Sequence, residues 1–425
     1  MSTIVVGGGL MGLTTAEVLL ERGESVTVLE LLDGVALETS YANGGMLTPS
    51  MPEPWNGPGV LRHLASSLFD PRSPMKLRLR AIPSLTGWGL RFLQHSSQRH
   101  HDAACAANYL LASYSLAETR AITARLKLEY CHASHGTLSV FRSREVFEAK
   151  EAVCRIAGGL GMRYAVLSAE QIVRLVPALA DIRNSIYCGI HYLDDDHGDA
   201  RMFCDALAGR FRAQGGRIET GVRVTRVAAE GGRVVGVDTD RGRIDARRVV
   251  VAAGTASPAL LQTVGVHLPV KPVKGYSVTV DAAGIDGLPT LPVIDDFKHA
   301  GITPLGTRLR MVGTAEFTGF DKRPNRVRTD NLYDLLVTTM PAIAARLDRS
   351  RADAWAGLRP VSYDGKPFID ACGPDGLWVN AGHGPLGWTL AMGSALLLAD
   401  RIDGRPPAVR HEPFVLDRRL RHAAD

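Results

Sequence analysis

The sequence predicts an α/β chain in which a parallel-sheet unit is interleaved with an α+β unit built on antiparallel strands. Three observations predict it. The first thirty residues read as strand, glycine turn, helix, strand. Two further strands that run into glycines and small residues stand far downstream, at Arg247 to Thr255 and Gly376 to Gly387. Between them the pattern turns to alternation with Gly and Pro turns. A length of 425 residues also exceeds what one hydrophobic core normally serves. The interleaving assigns residues 1–95, 170–262 and 355–425 to the first unit and 96–169 and 263–354 to the second.

Each element of the opening follows from side-chain pattern. Thr3 to Val6 is a β-branched apolar run that Gly7, Gly8 and Gly9 interrupt, and Leu10, Leu13, Ala16, Leu19 and Leu20 then recur at helical spacing until Gly23. Ser25 to Leu29 is a second buried strand. Gly7, Gly9 and Gly12 stand in G-x-G-x-x-G order, with Leu10 and Met11 between the last two. With 44 glycines in 425 residues this pattern arises by chance about half a time per chain, so context must carry it. The context here is a preceding strand, a following helix, and Glu30 with Leu31 at the end of the next strand, 18 residues after Gly12. Such a Rossmann-like turn lets a pyrophosphate approach bare backbone at the positive end of a helix, and the carboxylate accepts the ribose hydroxyls. An acid rather than an Arg there argues against a 2'-phosphate.

The stretch from Glu38 to Leu47 is polar and glycine-rich where a nicotinamide enzyme would continue with plain sheet and helix, which leans towards FAD. Downstream, Arg247 to Thr255 is a buried strand ending in Ala252, Ala253 and Gly254, small enough for backbone to pass close to a ligand. Gly382-His383-Gly384-Pro385-Leu386-Gly387 repeats the glycine pattern before a helix from Trp388 to Ile402. No acid closes a later strand, so that helix is expected to turn its amino end to the far part of the same cofactor. Val270 to Val280, Leu291 to Ile294 and Leu309 to Glu316 alternate as antiparallel strands, with an amphipathic helix from Asn331 to Leu347 behind them. Helices are also expected at Ala104 to Leu126, Arg144 to Leu160 and Met202 to Gln214, and a hairpin at Val222 to Val237.

Composition excludes several classes. Residues are 45% hydrophobic and 22% charged, which rules out global disorder. The net charge of +5 is spread along the chain without the basic stripe that nucleic acid needs. No run of 18 uncharged apolar residues exists and Ile4 to Val6 is too short for a signal-peptide core, so a cytoplasmic protein is expected. Six cysteines without a C-x-x-C are read as reduced and packed, with no metal; Cys131, His132 and His135 are the nearest approach to a ligand set. The acidic run Asp194 to Asp199 lacks calcium-loop spacing and reads as a polar turn with Asp199 capping the next helix. Lys76, Arg78, Arg80 and Arg91 with Trp88, Leu90, Phe92 and Leu93 make either a basic amphipathic lipid-contact surface or a helix packed on its own domain.

Together the glycine fingerprint, Glu30, Glu38-Thr39-Ser40 with Ala42-Asn43-Gly44, Gly136-Thr137-Leu138, Lys274-Gly275-Tyr276-Ser277, Gly357-Leu358-Arg359-Pro360, Asp364-Gly365, and Gly382-His383-Gly384 with Leu386-Gly387-Trp388-Thr389 resemble the small subunit of bacterial D-amino acid dehydrogenase. That family sits in the wider group of D-amino acid oxidase, glycine oxidase and sarcosine oxidase. The resemblance runs nearly end to end. It implies non-covalent FAD, oxidative deamination of a D-amino acid to an imino acid that water hydrolyses, and electrons passed to a quinone or other respiratory acceptor at the inner face of the cytoplasmic membrane, with partner subunits open. By the same resemblance Gly7, Gly9, Gly12 and Glu30 hold the ADP half. Ser40, Gly44, Gly45 and Met46 line the isoalloxazine side, Val224 meets adenine through its backbone, and Gly384, Gly387, Trp388 and Thr389 sit at the pyrimidine end.

Flavin chemistry on an amine asks the protein mainly for positioning. Arg359 is the candidate carboxylate anchor, since a planar guanidinium makes two parallel hydrogen bonds and its neighbours Trp355 to Pro360 are apolar. Tyr276, on the alternating run, either adds its hydroxyl to the same carboxylate or is an ordinary strand tyrosine. His383 either stabilises negative charge at the reduced ring or is a structural turn residue. Two other readings stand beside this one. One is a secondary-amine dehydrogenase acting on D-hydroxyproline, or a glycine or sarcosine oxidase using oxygen. The other is a silent flavoprotein subunit serving as scaffold or relay.

Overall fold

The computed structural model describes residues 2–60 and 75–418, and two large sheets organise them. Residues 1, 61–74 and 419–425, parts of the expected first unit, lie outside the described residues. Ser2–Val6 stands at the centre of a six-stranded sheet between Ser25–Leu29 and Arg248–Val251, both parallel to it. Leu377–Ala381 and Arg217–Glu219 extend the sheet in parallel, and Phe368–Ala371 closes one edge antiparallel. The short run of the first strand is buried on both faces. Val5 packs against the helices Leu10–Glu21, Gln98–Leu126, Ala200–Ala213 and Gly387–Asp403, whereas Ile4 and Val6 pack with Val227 and Val237 of a three-stranded layer. Each such fully buried Val or Leu contributes about 1.5–3 kcal/mol.

One residue in this helix layer works against it. Glu17, on the inward side of Leu10–Glu21, is fully buried, and among the described residues neither carboxyl oxygen has a partner within hydrogen-bond geometry. Burial, and then the neighbouring Glu21, push it up to about 7; Arg125 and Gln214 offset only part of this. A carboxyl whose folded pKa is raised contributes stability at pH below about 4.5 and loses it as pH rises through 7. Glu17→Gln is therefore expected to stabilise the fold by on the order of 1–3 kcal/mol at pH 8 and hardly at all at pH 4.5. Thermal melts at the two pH values check this; equal melting-temperature shifts at both would show that Glu17 is not the titrating group.

The second sheet has nine strands and is largely antiparallel. Val270–Asp281 is flanked by Asp353–Ser362 on one side and Arg308–Phe317 on the other, and Ala300–Leu305, unforeseen because Pro304 interrupts its pattern, follows Arg308–Phe317. One face carries Val278, Val280, Leu309 and Met311 against Leu332, Leu335 and Leu336 of the helix Arg326–Thr339. The expected single helix from Asn331 to Leu347 breaks at Met340, because Pro341 lacks an amide donor and instead begins the short helix Pro341–Ala344. The other face looks towards the loops of the six-stranded sheet.

Sheet membership corrects the expected unit boundaries. Asp353–Ser362 was expected with the first unit, yet it pairs with Val270–Asp281 from Val270↔Ser362 to Thr279↔Asp353. Cys188–Tyr192 likewise lies in the nine-stranded sheet, between Thr137–Phe141 and Tyr164–Leu167. Conversely Gln98–Leu126, expected in the second unit, buries Leu111, Leu116 and Ile122 with Leu13, Leu19 and Leu397 on the first. A strand goes where its backbone finds a ladder and a helix where its apolar stripe is covered, and sequence proximity decides neither.

Candidate active site

The turn after Ser2–Val6 is shaped by the absence of side chains. Gly7 has φ +113°, strained for any L side chain, and a Cβ there would lie 2.7 Å from the Ala252 carbonyl oxygen. A Cβ on Gly12 would overlap the Gly7 carbonyl oxygen, so the helix Leu10–Glu21 reaches the strand end only with glycine there. Gly9 caps that helix from extended backbone with no side-chain cap, and the Leu10 amide donates to Ser40 Oγ at 3.2 Å. The amino end of the helix thus opens onto a bare cradle suited to a pyrophosphate. Glu30 stands against it: Oε2 accepts from the Gly8 amide at 2.6 Å and Oε1 from the Leu32 amide at 2.9 Å. Leu10 turns into the core, Met11 is half-buried and Leu31 is exposed. The backbone leading into Val224 runs alongside, with the Gly221 and Val222 amides donating to the Leu32 and Glu30 carbonyls. Ala252 and Ala253, directly after Arg248–Val251, lie against Gly7, and Gly254 follows them.

The loop through Ser40, Gly44, Gly45 and Met46 is held by its carbonyls. Arg310 Nη1 donates to the Asn43 carbonyl at 3.2 Å, Thr303 Oγ1 to the Gly44 carbonyl at 2.7 Å, and the Gly198 amide to the Gly45 carbonyl at 2.8 Å, while Met46 pairs with His197. Arg310 is buried and also reaches Thr279 and Asp199, which caps the helix Ala200–Ala213 as expected. The other acids of that run are also engaged, Asp196 with Arg120 and His132 and Asp195 with Ser50. Sequence reasoning missed Arg310 because Arg308 and Arg310 alternate with Leu309 and Met311, the pattern of a strand with one solvated face, and no local signal distinguishes a buried Arg there.

At the far end, Leu377–Ala381 leads through Gly384 into the helix Gly387–Asp403. Thr389 Oγ1 accepts from the Thr48 amide at 3.0 Å. Trp388 packs against Tyr130 and Phe203. His383 is buried with Nε2 3.0 Å from Ser394 Oγ, and burial pushes the imidazole down to about 3. It is therefore a neutral hydrogen-bonding group and not a cation. His383 Nδ1, Trp388 Nε1 and the hydroxyl of Ser362, which adjoins the Val361↔His383 bridge, are buried with no hydrogen-bond partner among the described residues. Unsatisfied buried polar atoms around one turn, with the bare glycine cradle, fit a polar cofactor ring and its pyrophosphate.

Arg359 lies on Asp353–Ser362 between these two regions: the preceding residue's carbonyl, Leu358, accepts from Thr39 Oγ1 at 2.7 Å, and Val361 bridges to His383. Its guanidinium donates to the Thr314 carbonyl at 3.0 Å and lies 5.5 Å from the Trp55 ring. Among the described residues no carboxylate pairs with it, and burial pushes it down to about 10. Trp55 gave no sequence signal, being a lone aromatic in a Pro-rich loop. Tyr276 does not join this group. Val273↔Arg359 and Tyr276↔Ala356 put the two side chains on opposite faces of the sheet, and the Tyr276 hydroxyl donates to Glu316 Oε2 at 2.5 Å beneath the helix Arg326–Thr339. The expectation that it shares a carboxylate with Arg359 is corrected accordingly: strand alternation turns residue 276 away from the cleft.

A parallel sheet with a side-chain-free anion cradle, joined to an antiparallel sheet that turns a guanidinium towards the same seam, is the architecture of a dinucleotide-dependent oxidoreductase. The family described as DAO, FAD dependent oxidoreductase, matches residues 2–401, and the chain belongs to it; its cofactor is FAD. The chain is 38% identical over 425 residues to the D-amino acid dehydrogenase of Methylobacterium sp. (strain 4-46), covering all of both chains. It is 36% identical over 419 residues to that of Paramagnetospirillum magneticum, covering 98% of this chain and 99% of the other. Glycine oxidase from Geobacillus kaustophilus shares the fold at TM-score 0.76, with 23% identity over 98% of each chain. L-proline dehydrogenase from P. horikoshii shares it at 0.77 and 17%, over 98% of this chain and 96% of the other.

Proposed function

We propose that the chain oxidises a D-amino acid at its α-carbon, giving an imino acid that water hydrolyses to the 2-oxo acid and ammonia. When bound, FAD supplies the acceptor for the α-hydride at N5, and the amine proton leaves to solvent. The observation that carries the reading is Arg359: a half-buried guanidinium that donates to one carbonyl and lies against one indole has, among the described residues, no carboxylate partner, and a substrate carboxylate supplies that anion. The cradle at Gly7, Gly9 and Gly12 would hold the pyrophosphate, Glu30 the ribose, and the carbonyl-clamped loop at Gly44 to Met46 one side of the ring.

In this reading the electrons leave to a quinone or other respiratory acceptor, and contact with the cytoplasmic membrane is peripheral. No described helix is long and apolar enough to cross a membrane. The helix Ile82–Gln94 buries Trp88 and Phe92 and turns Leu90, 61% exposed, Ile82 and Leu93 outward, which supports a surface contact; Arg78 and Arg80 are engaged by Glu316 and Asp321.

The test is anaerobic bleaching of the flavin absorbance by a substrate panel. D-alanine is expected to bleach it, L-alanine not, and D-alaninamide, which has no carboxylate, only at far higher concentration. Preference for cis-4-hydroxy-D-proline would move the assignment to secondary amines. A flavin that stays yellow with every amino acid would end the reading.

A further inference from the structure

Arg308–Phe317 is not a regular strand. On its partner a single residue, Gly275, separates Lys274 and Tyr276, whereas Thr314 and Ala315 both lie between their counterparts Glu316 and Gly313. That is a two-against-one β-bulge, and Thr314 within it has φ +66°. A β-branched residue in the left-handed region is an outlier, and such strain persists only where the surroundings enforce it. The bulge falls where the strand changes neighbours: Gly313 is the last residue to pair with Ala300–Leu305, and Ala315 the first to pair with Met75–Leu77. Between the two ladders the Thr314 carbonyl is committed to neither, and it is this oxygen that accepts from Arg359 Nη1 at 3.0 Å. Directly opposite the bulge, a Cβ on Gly275 would overlap the same guanidinium. Gly275 is in turn paired with Gly357, two residues before Arg359 on the same face.

Resting on the reading of Arg359 as carboxylate anchor, we propose that the bulge at Thr314 and the bare backbone of Gly275 opposite it are a positioning device that aims the Arg359 guanidinium. Gly275 supplies the floor on which the planar group lies flat, and the bulge turns one carbonyl out of the sheet to fix its rotation. The remaining N–H edge is left for a substrate carboxylate. A neighbour-switching bulge needs neither a positive φ nor a glycine across from it, and the guanidinium between them accounts for both.

The test is steady-state kinetics with D-alanine on three variants, each checked for flavin content and far-UV circular dichroism. Thr314→Pro forces φ near −65° and withdraws the carbonyl. Gly275→Ala raises the floor. Thr314→Gly keeps the turn and removes the side chain. KM is expected to rise roughly 10- to 100-fold in the first two with kcat within about threefold, and to rise clearly less in Thr314→Gly than in Thr314→Pro, because glycine keeps the positive φ that presents the carbonyl. Wild-type KM in a folded, flavin-loaded Thr314→Pro or Gly275→Ala, a loss of kcat alone, or impairment of Thr314→Gly equal to that of the proline variant would each overturn the proposal. Should proline prevent folding, Gly275→Ala decides, because it displaces the same group from the other side. Arg359→Ala run in parallel separates the two failures: if it leaves KM unchanged the anchor reading falls, and if it alone raises KM only the positioning device falls.

Discussion

Arg359→Ala is expected to raise KM for a D-amino acid by roughly 30- to 1,000-fold with a much smaller change in kcat. Truncating one member of a buried, hydrogen-bonded charge pair costs about 2–4 kcal/mol, and each 1.4 kcal/mol is tenfold. The carboxylate sits as tightly in the ground state as during hydride loss, so the effect belongs to binding and reads out in KM. Arg359→Lys should recover only part, because an ammonium offers a point charge where the guanidinium offers a planar fork. The same substitution makes a second, opposite forecast. In the substrate-free protein the guanidinium is partly buried with no carboxylate paired to it among the described residues, and the downward push on its pKa to about 10 expresses the cost of that burial. Removing it should leave the melting temperature unchanged or raise it. A variant that loses affinity and stability together would show Arg359 to be a structural residue, whereas lost affinity in an equally stable protein is the mark of a group held for its ligand.

The parts of this arrangement differ in how they were visible beforehand. The cradle was legible because its requirements are local. A sharp turn, a bare approach and a close helix contact each demand glycine at a fixed offset, and Gly7, Gly9 and Gly12 meet them within six residues. The partly apolar setting of Arg359 was legible from its neighbours, whereas its proposed role rests on the resemblance. Tyr276 was misplaced although its strand was located well, since alternation says that neighbours oppose each other but not which face meets the cleft. That is settled by the pairing Val273↔Arg359, a contact between residues 86 positions apart. Arg310 and Thr314 were out of reach for a related reason. A buried Arg clamping the Asn43 carbonyl and a bulge set by a change of strand partner exist only once Ala300–Leu305, Met75–Leu77 and the loop before Met46 have converged on Arg308–Phe317. The misdrawn unit boundaries have the same origin, because Asp353–Ser362 is continuous in sequence with one sheet and hydrogen-bonded into the other. That double allegiance is also what delivers Arg359 to the seam between the cradle's loops and the antiparallel sheet.

Gly12→Ala and Gly9→Ala are both expected to abolish stable FAD binding, and the substrate-free, flavin-free proteins should tell the two causes apart. At Gly12 the added methyl overlaps the Gly7 carbonyl oxygen, a backbone atom at the end of the central strand. Relief requires the helix Leu10–Glu21 to move off the sheet, which disturbs Leu13 and Leu19 in the core and carries the amino-terminal amides out of position. Flavin affinity and the stability of the apoprotein should both fall, the latter by the roughly 1–3 kcal/mol of an overpacked core and with it the melting temperature. Gly9 has φ −86° and ψ −172°, extended backbone open to any residue, and its methyl would meet only the Ser40 hydroxyl at 3.3 Å, which can rotate aside. The apoprotein should melt within a degree or two of the wild type. Flavin affinity should nevertheless collapse, because that methyl occupies the bare mouth of the cradle where the pyrophosphate must approach the amides. Flavin titration and thermal melts of both apoproteins check the pair. A Gly9→Ala protein that binds FAD as well as the wild type would mean that the phosphates do not enter over this turn, and the site built around the first strand would have to be abandoned.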